Sequence, residues 1–324
     1  MKTSLTSTPF SNLSIDRVMN AVETQGYHTD SRILAMNSYE NRVYKVGVDD
    51  AESIIVKFYR PHRWSIAQIQ EEHYFCYELS AEELPVVCPL QNSQGESIFS
   101  DGELYFSLYP CQGGREPDLE QEANLITLGR VIGKMHAVAK VSSFKTRPNL
   151  SIATFAEDSI TEVLQTIPED LKPAYHSVCK QLVEKLQIIF AQQQSVEWIR
   201  CHGDTHRGNI LWRDSAPHFI DFDDARLAPA IQDLWMFLAG DSSMQAHQID
   251  LLLSGYTTFC EFNYQEIRLI EPLRTLRMMY YAAWLSKRKL DPAFIQHFPW
   301  FNTPRYWGEH IDELKIQLSN LAAL

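Results

Sequence analysis

Long apolar runs are missing from this sequence. Nowhere in its 324 residues does a stretch approach the roughly 18 to 20 apolar residues that cross a bilayer. Residues 1–13 show neither a basic segment nor an apolar core. No secretory signal is expected there, and the expected compartment is the cytosol. The six cysteines, Cys76, Cys88, Cys111, Cys179, Cys201 and Cys260, contain no CxxC pair. In a long chain without secretory features, that argues against a disulfide framework. Cys201 reads as a small buried residue rather than a nucleophile. Positive charge is also scarce: 29 Lys and Arg stand against 41 Asp and Glu, a net charge of -12. Broad binding to a nucleic-acid backbone needs a basic face, so no nucleic-acid partner is expected, and no membrane partner either. Internal repeats and low-complexity segments are absent. What is present, 45% hydrophobic and 22% charged residues, is ordinary for a globular chain long enough for two packed lobes.

The first hundred residues read mostly as strands. Residues 53–59 are β-branched and aromatic, and residues 33–36 and 42–46 flank the polar stretch Asn37-Ser-Tyr-Glu-Asn41 as a hairpin. Residues 66–79 have helical spacing, with Ile66, Ile69, His73, Cys76 and Leu79 on one face. Residues 104–109 predict another strand. Pro110-Cys-Gln-Gly-Gly-Arg-Glu-Pro117 then offers two prolines and two adjacent glycines, a natural hinge. Beyond it the chain turns helical. Leu125, Leu128, Ile132, Met135 and Ala139 form a core-facing stripe, as do Val178, Leu182, Leu186 and Ile189. One strand pair, 210–212 and 219–221, interrupts the helices, joined by a turn at 213–217. The expected fold class is α+β: a small β-rich lobe at 1–109, a hinge at 110–117 and a helical lobe at 118–324.

Two polar motifs fall around that strand pair: His202-Gly-Asp-Thr-His-Arg-Gly-Asn209 and Ile220-Asp-Phe-Asp223. Phosphoryl transfer needs a carboxylate near the attacking hydroxyl, hard oxygen ligands for Mg²⁺ and a cation on the nucleotide phosphates. Asp204 and Asn209 lie on one loop, so Asp204 can face the acceptor while Asn209 turns towards a metal. The strand pair returns Asp221 beside Asn209. Upstream, Lys57 sits mid-strand among apolar neighbours, and Glu72 on the following helix is placed to pair with it. A different grouping, His202, Asp204 and His206, suggests a zinc hydrolase, but it leaves Asn209, Asp221 and Lys57 without a use.

The order VxK, Glu, HGDxHxGN and IDF resembles the aminoglycoside phosphotransferase and choline kinase branch of the protein-kinase-like superfamily. NSYENRVY at 37–44, VKFYRPHRW at 56–64, EEHYF at 71–75, HGDTHRGNILW at 202–212 and FPWFNTPRYW at 298–307 resemble the bacterial stress response kinase A family, also called YihE protein kinases. The likeness spans nearly the whole chain. It implies a bilobal protein-kinase-like fold with ATP and Mg²⁺ between the lobes. Asp204 would be the base, Asn209 and Asp221 the Mg²⁺ ligands, and Lys57 with Glu72 the ATP-orienting pair. The family spacing selects Glu72 over Glu71. Ser38 would lie over the nucleotide phosphates, and Asp233 would brace the catalytic loop. His202 would be scaffold. The implied acceptor is Ser or Thr of a protein, including the chain itself, and a monomer is expected.

Some features depart from eukaryotic-style protein kinases. The phosphate loop lacks GxGxxG, His202-Gly-Asp204 replaces His-Arg-Asp, Asp223 stands where a glycine would be, and no Ala-Pro-Glu follows. Control by a phosphorylated activation loop is therefore not expected. His206 and Arg115 have no assigned role. The aromatic cluster at 298–307 reads as packing onto the helical lobe. Two other readings stay open: a small-molecule kinase with a cationic or alcohol acceptor, and a non-catalytic nucleotide-binding regulator.

Overall fold

Alternating apolar residues build the front of the chain into a sheet. The computed structural model describes residues 9–324. Helix α1 (Ile15–Glu23), capped by the Ser14 hydroxyl, precedes β1 (Thr29–Ala35), β2 (Arg42–Val48) and β3 (Ile54–Phe58). Helix α2 (Ile66–Ala81) follows, then β4 (Phe99–Ser100) and β5 (Tyr105–Pro110). The five strands pair antiparallel in the order β1-β2-β3-β5-β4. Val46, Val56, Phe58, Phe106 and Leu108 pack with Val18 and Val22 of α1 into one core.

Helix α2 starts with a capping box between Ser65 and Gln68, which satisfies backbone donors at the helix start. Ile69, His73, Cys76 and Leu79 are buried as expected, but Ile66 is 46% exposed. It stands at the first helical position, beyond the packed stretch. Phe75, Cys76 and Leu79 join the core of the larger lobe rather than that of the sheet. The His73 ring of this helix meets the Tyr59 hydroxyl at 2.9 Å and the Ser97 hydroxyl at 2.7 Å, so the helix contacts both halves of the molecule.

The larger lobe contains α3 (Glu122–Ala139), α4 (Asp158–Leu164), α5 (Lys172–Ala191), β6 (Ile199–Cys201), β7 (Ile210–Arg213), β8 (Ala216–Phe219) and β9 (Arg226–Ala228). Helices α6 (Ser242–Tyr256), α7 (Ile270–Arg288), α8 (Pro292–His297) and α9 (Pro304–Ala322) complete it. Both expected apolar stripes are buried, on α3 and α5. Gly129 and Gly133 of α3 meet the backbone of Leu252 and Tyr256, and Gly255 of α6 meets the Ile126 carbonyl. A side chain at any of these three would push the two helices apart. Their close approach sets His136 of α3 beneath the 202–209 loop.

The strand pair β7–β8 forms, with two corrections. Its turn contracts from 213–217 to Asp214 and Ser215, both at positive φ (51° and 63°), the twist that suits a two-residue hairpin. The second strand ends at Phe219 instead of reaching Asp221. After Ile220 donates to the Asn209 carbonyl at 3.0 Å, Asp221 adopts φ 59°, ψ 66° and the chain leaves the hairpin. Aspartate tolerates this left-handed conformation better than most residues. Among the described residues, no helix is long and apolar enough to cross a membrane.

Candidate active site

Residue Lys57 lies on β3, in the middle of the sheet, paired with Val43 on one side and Ser107 on the other. Its side chain is 6% exposed, so its charge needs partners. Three carboxylates supply them: Asp221 Oδ1 at 2.7 Å, Asp223 Oδ1 at 3.3 Å and Glu72 Oε1 at 4.0 Å. Burial alone would lower the lysine pKa, but these carboxylates outweigh it and hold the ammonium well above its usual range. Glu72 is pushed up to about 7 by burial, with Asp223 and Asp221 adding like charge against the pull of Lys57 and Arg147. Its neighbour Glu71 faces outward from this cluster and accepts the backbone N–H groups of Lys145, Thr146 and Arg147. The pairing partner is thus Glu72.

The loop after β6 is fixed from below. Asp233, fully buried, accepts the backbone N–H groups of His202 at 2.7 Å and Gly203 at 2.9 Å, and contacts His136 Nε2 at 3.1 Å. Gly203 has φ 85°, and a Cβ there would strike the Asp224 carbonyl, so glycine is required. The His202 ring contacts the Ile220 carbonyl at 2.9 Å and packs on Phe222 with centroids 4.3 Å apart. It joins the two motifs as scaffold. His206 turns its Nδ1 to the Gly208 N–H. His202, Asp204 and His206 do not converge: among the described residues, the group able to surround one ion is His136, Cys201 and Asp233, all buried. Those atoms are already engaged in the brace, including His136 Nδ1 with the Tyr256 hydroxyl at 2.9 Å.

Asn209 Nδ2 donates to the Asp204 carbonyl at 2.9 Å. That bond turns the amide so that its oxygen Oδ1 is the atom offered to a cation. Asp221 keeps its side chain 49% exposed, unlike the buried Glu72 and Asp223. Hard oxygens on Asn209 and Asp221, beside nucleotide phosphates, suit a small divalent ion such as Mg²⁺.

Residue Ser38 makes a local bond, donating to the Asn41 carbonyl at 3.2 Å. The 37–41 loop is held by Arg60, which donates to the carbonyls of Glu40 and Tyr39, each at 2.8 Å. The Glu40 carboxylate meets Arg60 at 3.0 Å, Arg63 at 3.2 Å, the Trp284 indole at 2.7 Å and Arg288. Tyr39 rests on Phe298 at 5.0 Å, while Phe298 stacks on Phe294. The aromatic cluster at 298–307 therefore packs on the helical lobe and also touches the 37–41 loop.

Sequence reasoning left out several residues now seen in the cluster. Arg63 pairs with Asp223 at 2.9 Å and Asp224 at 3.0 Å. Burial opposes ionisation of Asp223, yet Arg63, Lys57 and Arg147 hold its pKa below the usual carboxylate range. Arg277 of α7 contacts Asp204 Oδ1 at 2.6 Å. Arg63 was visible inside VKFYRPHRW but carried no spacing signal. Arg277 had none at all. Arg115 is exposed and pairs through its backbone with Trp212, which ties the 110–117 segment to β7.

Comparison with known proteins adds the wider context. Residues 33–270 match the phosphotransferase enzyme family. Stress response kinase A of Escherichia coli O157:H7 is 40% identical over 300 residues, covering 92% of this chain and 90% of that protein. Serine/threonine protein kinase RdoA of Salmonella typhimurium is 39% identical over 313 residues, covering 95% and 94%. Among solved structures, amicoumacin kinase hAmiN in complex with AMP-PNP, Ca²⁺ and Ami has a TM-score of 0.71 at 19% identity, covering 93% and 94% of the two chains. Choline kinase LicA from Streptococcus pneumoniae has a TM-score of 0.63 at 13% identity, covering 94% and 98%. These last two share the fold.

Proposed function

The chain belongs to the phosphotransferase enzyme family and, within it, to the stress response kinase A family; from that premise we propose a serine/threonine protein kinase that uses ATP and Mg²⁺. The observation that carries the proposal is the convergence of Lys57, Glu72 and Asp221 in one cluster, beside a catalytic loop that holds Asp204 and Asn209 together. Lys57, oriented by Glu72, steadies the nucleotide phosphates, and the 37–41 loop with Ser38 covers them. Asn209 and Asp221 would hold Mg²⁺. When bound there, the ion would supply charge neutralisation at the phosphates.

Asp204 orients the acceptor hydroxyl. As the new oxygen–phosphorus bond forms, the bond from the γ-phosphorus to the bridging oxygen breaks and ADP leaves. The acceptor proton passes to the Asp204 carboxylate. Asp233 and His202 keep this loop in place. Residues 1–109 serve as the nucleotide lobe, 110–117 as the hinge and 118–324 as the catalytic and acceptor lobe. The acceptor is a protein Ser or Thr, including this chain's own, and the setting is a cytoplasmic stress response with the enzyme acting as a monomer. Similarity over more than nine-tenths of the chain to a relative named a serine/threonine protein kinase supports this choice of acceptor.

The cleft beside Asp204 favours a second reading. Leu150, Phe155, Leu273 and Tyr280 line it together with the charged Asp224, Arg226 and Arg277, and such a mixed enclosure suits a small polar alcohol. Labelled ATP separates the two. Incubation of the purified chain with protein and metabolite acceptors should place label on protein Ser or Thr. Label found only on metabolites would establish the second reading instead, and no turnover of ATP would leave a regulator.

A further inference from the structure

We propose that Arg277 selects the acceptor, and that the enzyme prefers a Ser or Thr flanked by a carboxylate side chain. This inference rests on the protein-kinase reading and gives it a substrate class.

Both oxygens of Asp204 face donors. Oδ1 contacts Arg277 Nη1 at 2.6 Å, and Oδ2 lies 3.5 Å from both Asn209 Nδ2 and His206 Nε2. An incoming hydroxyl must share or replace one of these contacts. His206 is 44% exposed, but of these three donors Arg277 is the one with a fixed charge that a carboxylate on the acceptor can draw away. The Arg277 side chain is 41% exposed, against 21% for Asp204. Other guanidiniums nearby already have carboxylates of their own: Arg226 holds Asp224 at 2.6 Å, and Arg274 holds Glu271 at 3.1 Å. Arg277 instead pairs with the proposed base. A carboxylate beside the acceptor hydroxyl would take the guanidinium through two parallel N–H bonds and release Oδ1 for that hydroxyl. The acceptor would thereby uncover the base it needs.

The surrounding wall fits a peptide lying along α7. Arg277, Tyr280, Tyr281 and Trp284 follow the i, i+3, i+4, i+7 spacing of one helix face. Tyr281 and Trp284 are stacked with rings 9° apart, and Tyr280 stacks on Phe155 at 4.5 Å. Phe155 comes from a π-helical turn, Ala153–Glu157, a rare element found often at functional sites. The result is an aromatic surface with a cation at its Asp204 end. The chain carries a net charge of -12, so this cation stands out from the overall acidity rather than following from it.

The test uses the full chain with ATP, Mg²⁺ and three peptides, each with one Ser flanked by Glu, by Ala or by Lys in the same background. Wild type should favour the Glu peptide over the Ala peptide by about tenfold in kcat/KM, mainly through KM, the size of one charge-assisted contact. Arg277→Ala should remove that ratio, Arg277→Lys should retain part of it, and Arg277→Glu should shift preference to the Lys peptide. Melting curves of each variant check the fold. Labelling without a charge preference in wild type, or an unchanged preference in Arg277→Ala, overturns this inference alone. A wild type that labels no peptide overturns the protein-kinase reading and this inference together.

Discussion

On the proposed nucleotide side of the cleft, Lys57 is 6% exposed at its side chain and faces three carboxylates, with Arg63 and Arg147 behind them. On the acceptor side, Asp204 faces one half-exposed guanidinium. The two regions solve different problems. Phosphate binding needs charges fixed before the ligand arrives, and a buried, cross-linked cluster fixes them. Acceptor binding needs groups that can change partners, and a guanidinium that is 41% exposed can swing to a new partner at little cost. The first region also reaches beyond the cleft. Glu40 links Arg60, Arg63 and Arg288, joining the phosphate loop to α7.

Substitutions can break this contrast. The largest effect is expected at Asp204. Asp204→Ala should reduce transfer by about 10³-fold, within the range for a positioned base, and leave the melting temperature near wild type. Steady-state phosphorylation assays and thermal melts check both. Asp223→Ala should do the reverse in emphasis. It removes a buried carboxylate from Lys57 and Arg63, so native stability should fall by about 3 kcal/mol in denaturant titrations.

Glu72→Gln sharpens the comparison through pH. In the folded chain the Glu72 carboxyl holds its proton to about 7, against a reference of 4.5. It therefore binds a proton more tightly when folded than when unfolded. Native stability contributed by this group is present below about 4.5 and is lost as pH rises through about 7. Stability of Glu72→Gln relative to wild type should thus rise over that window, by on the order of 1–3 kcal/mol. Activity should move the other way, because Lys57 loses its orienting charge. A relative stability independent of pH would contradict the buried, proton-retaining state of Glu72.

Much of this arrangement was readable from residue order. Asp204, Asn209 and Asp221 lie within two short motifs, so loop and hairpin geometry alone brings them close. The stripes on α3 and α5 were readable because burial repeats at the helical period. Where the chain bends was harder. Asp221 leaves β8 through a left-handed residue, and nothing in Phe219-Ile-Asp221 marks that bend. The Ile66 position failed because periodicity finds a face but not where packing along it begins. Arg63 and Arg277 reach the site from the turn between β3 and α2 and from α7, contacts that only the tertiary fold creates. The pairing of Lys57 with three carboxylates rather than one also needed that fold. Ser38 was singled out by resemblance, and its hydroxyl makes a turn-stabilising bond of its own.

The division of labour between the two sides is tested most directly by Mg²⁺-dependent ATP affinity, measured by calorimetry on Asp204→Ala and Asp221→Ala alongside wild type. Asp204→Ala should bind ATP nearly as wild type does while failing to transfer phosphate. Asp221→Ala should lose Mg²⁺-dependent affinity as well as transfer. Equal loss of affinity in both variants would contradict the separation, and near-normal transfer in both would contradict the mechanism itself.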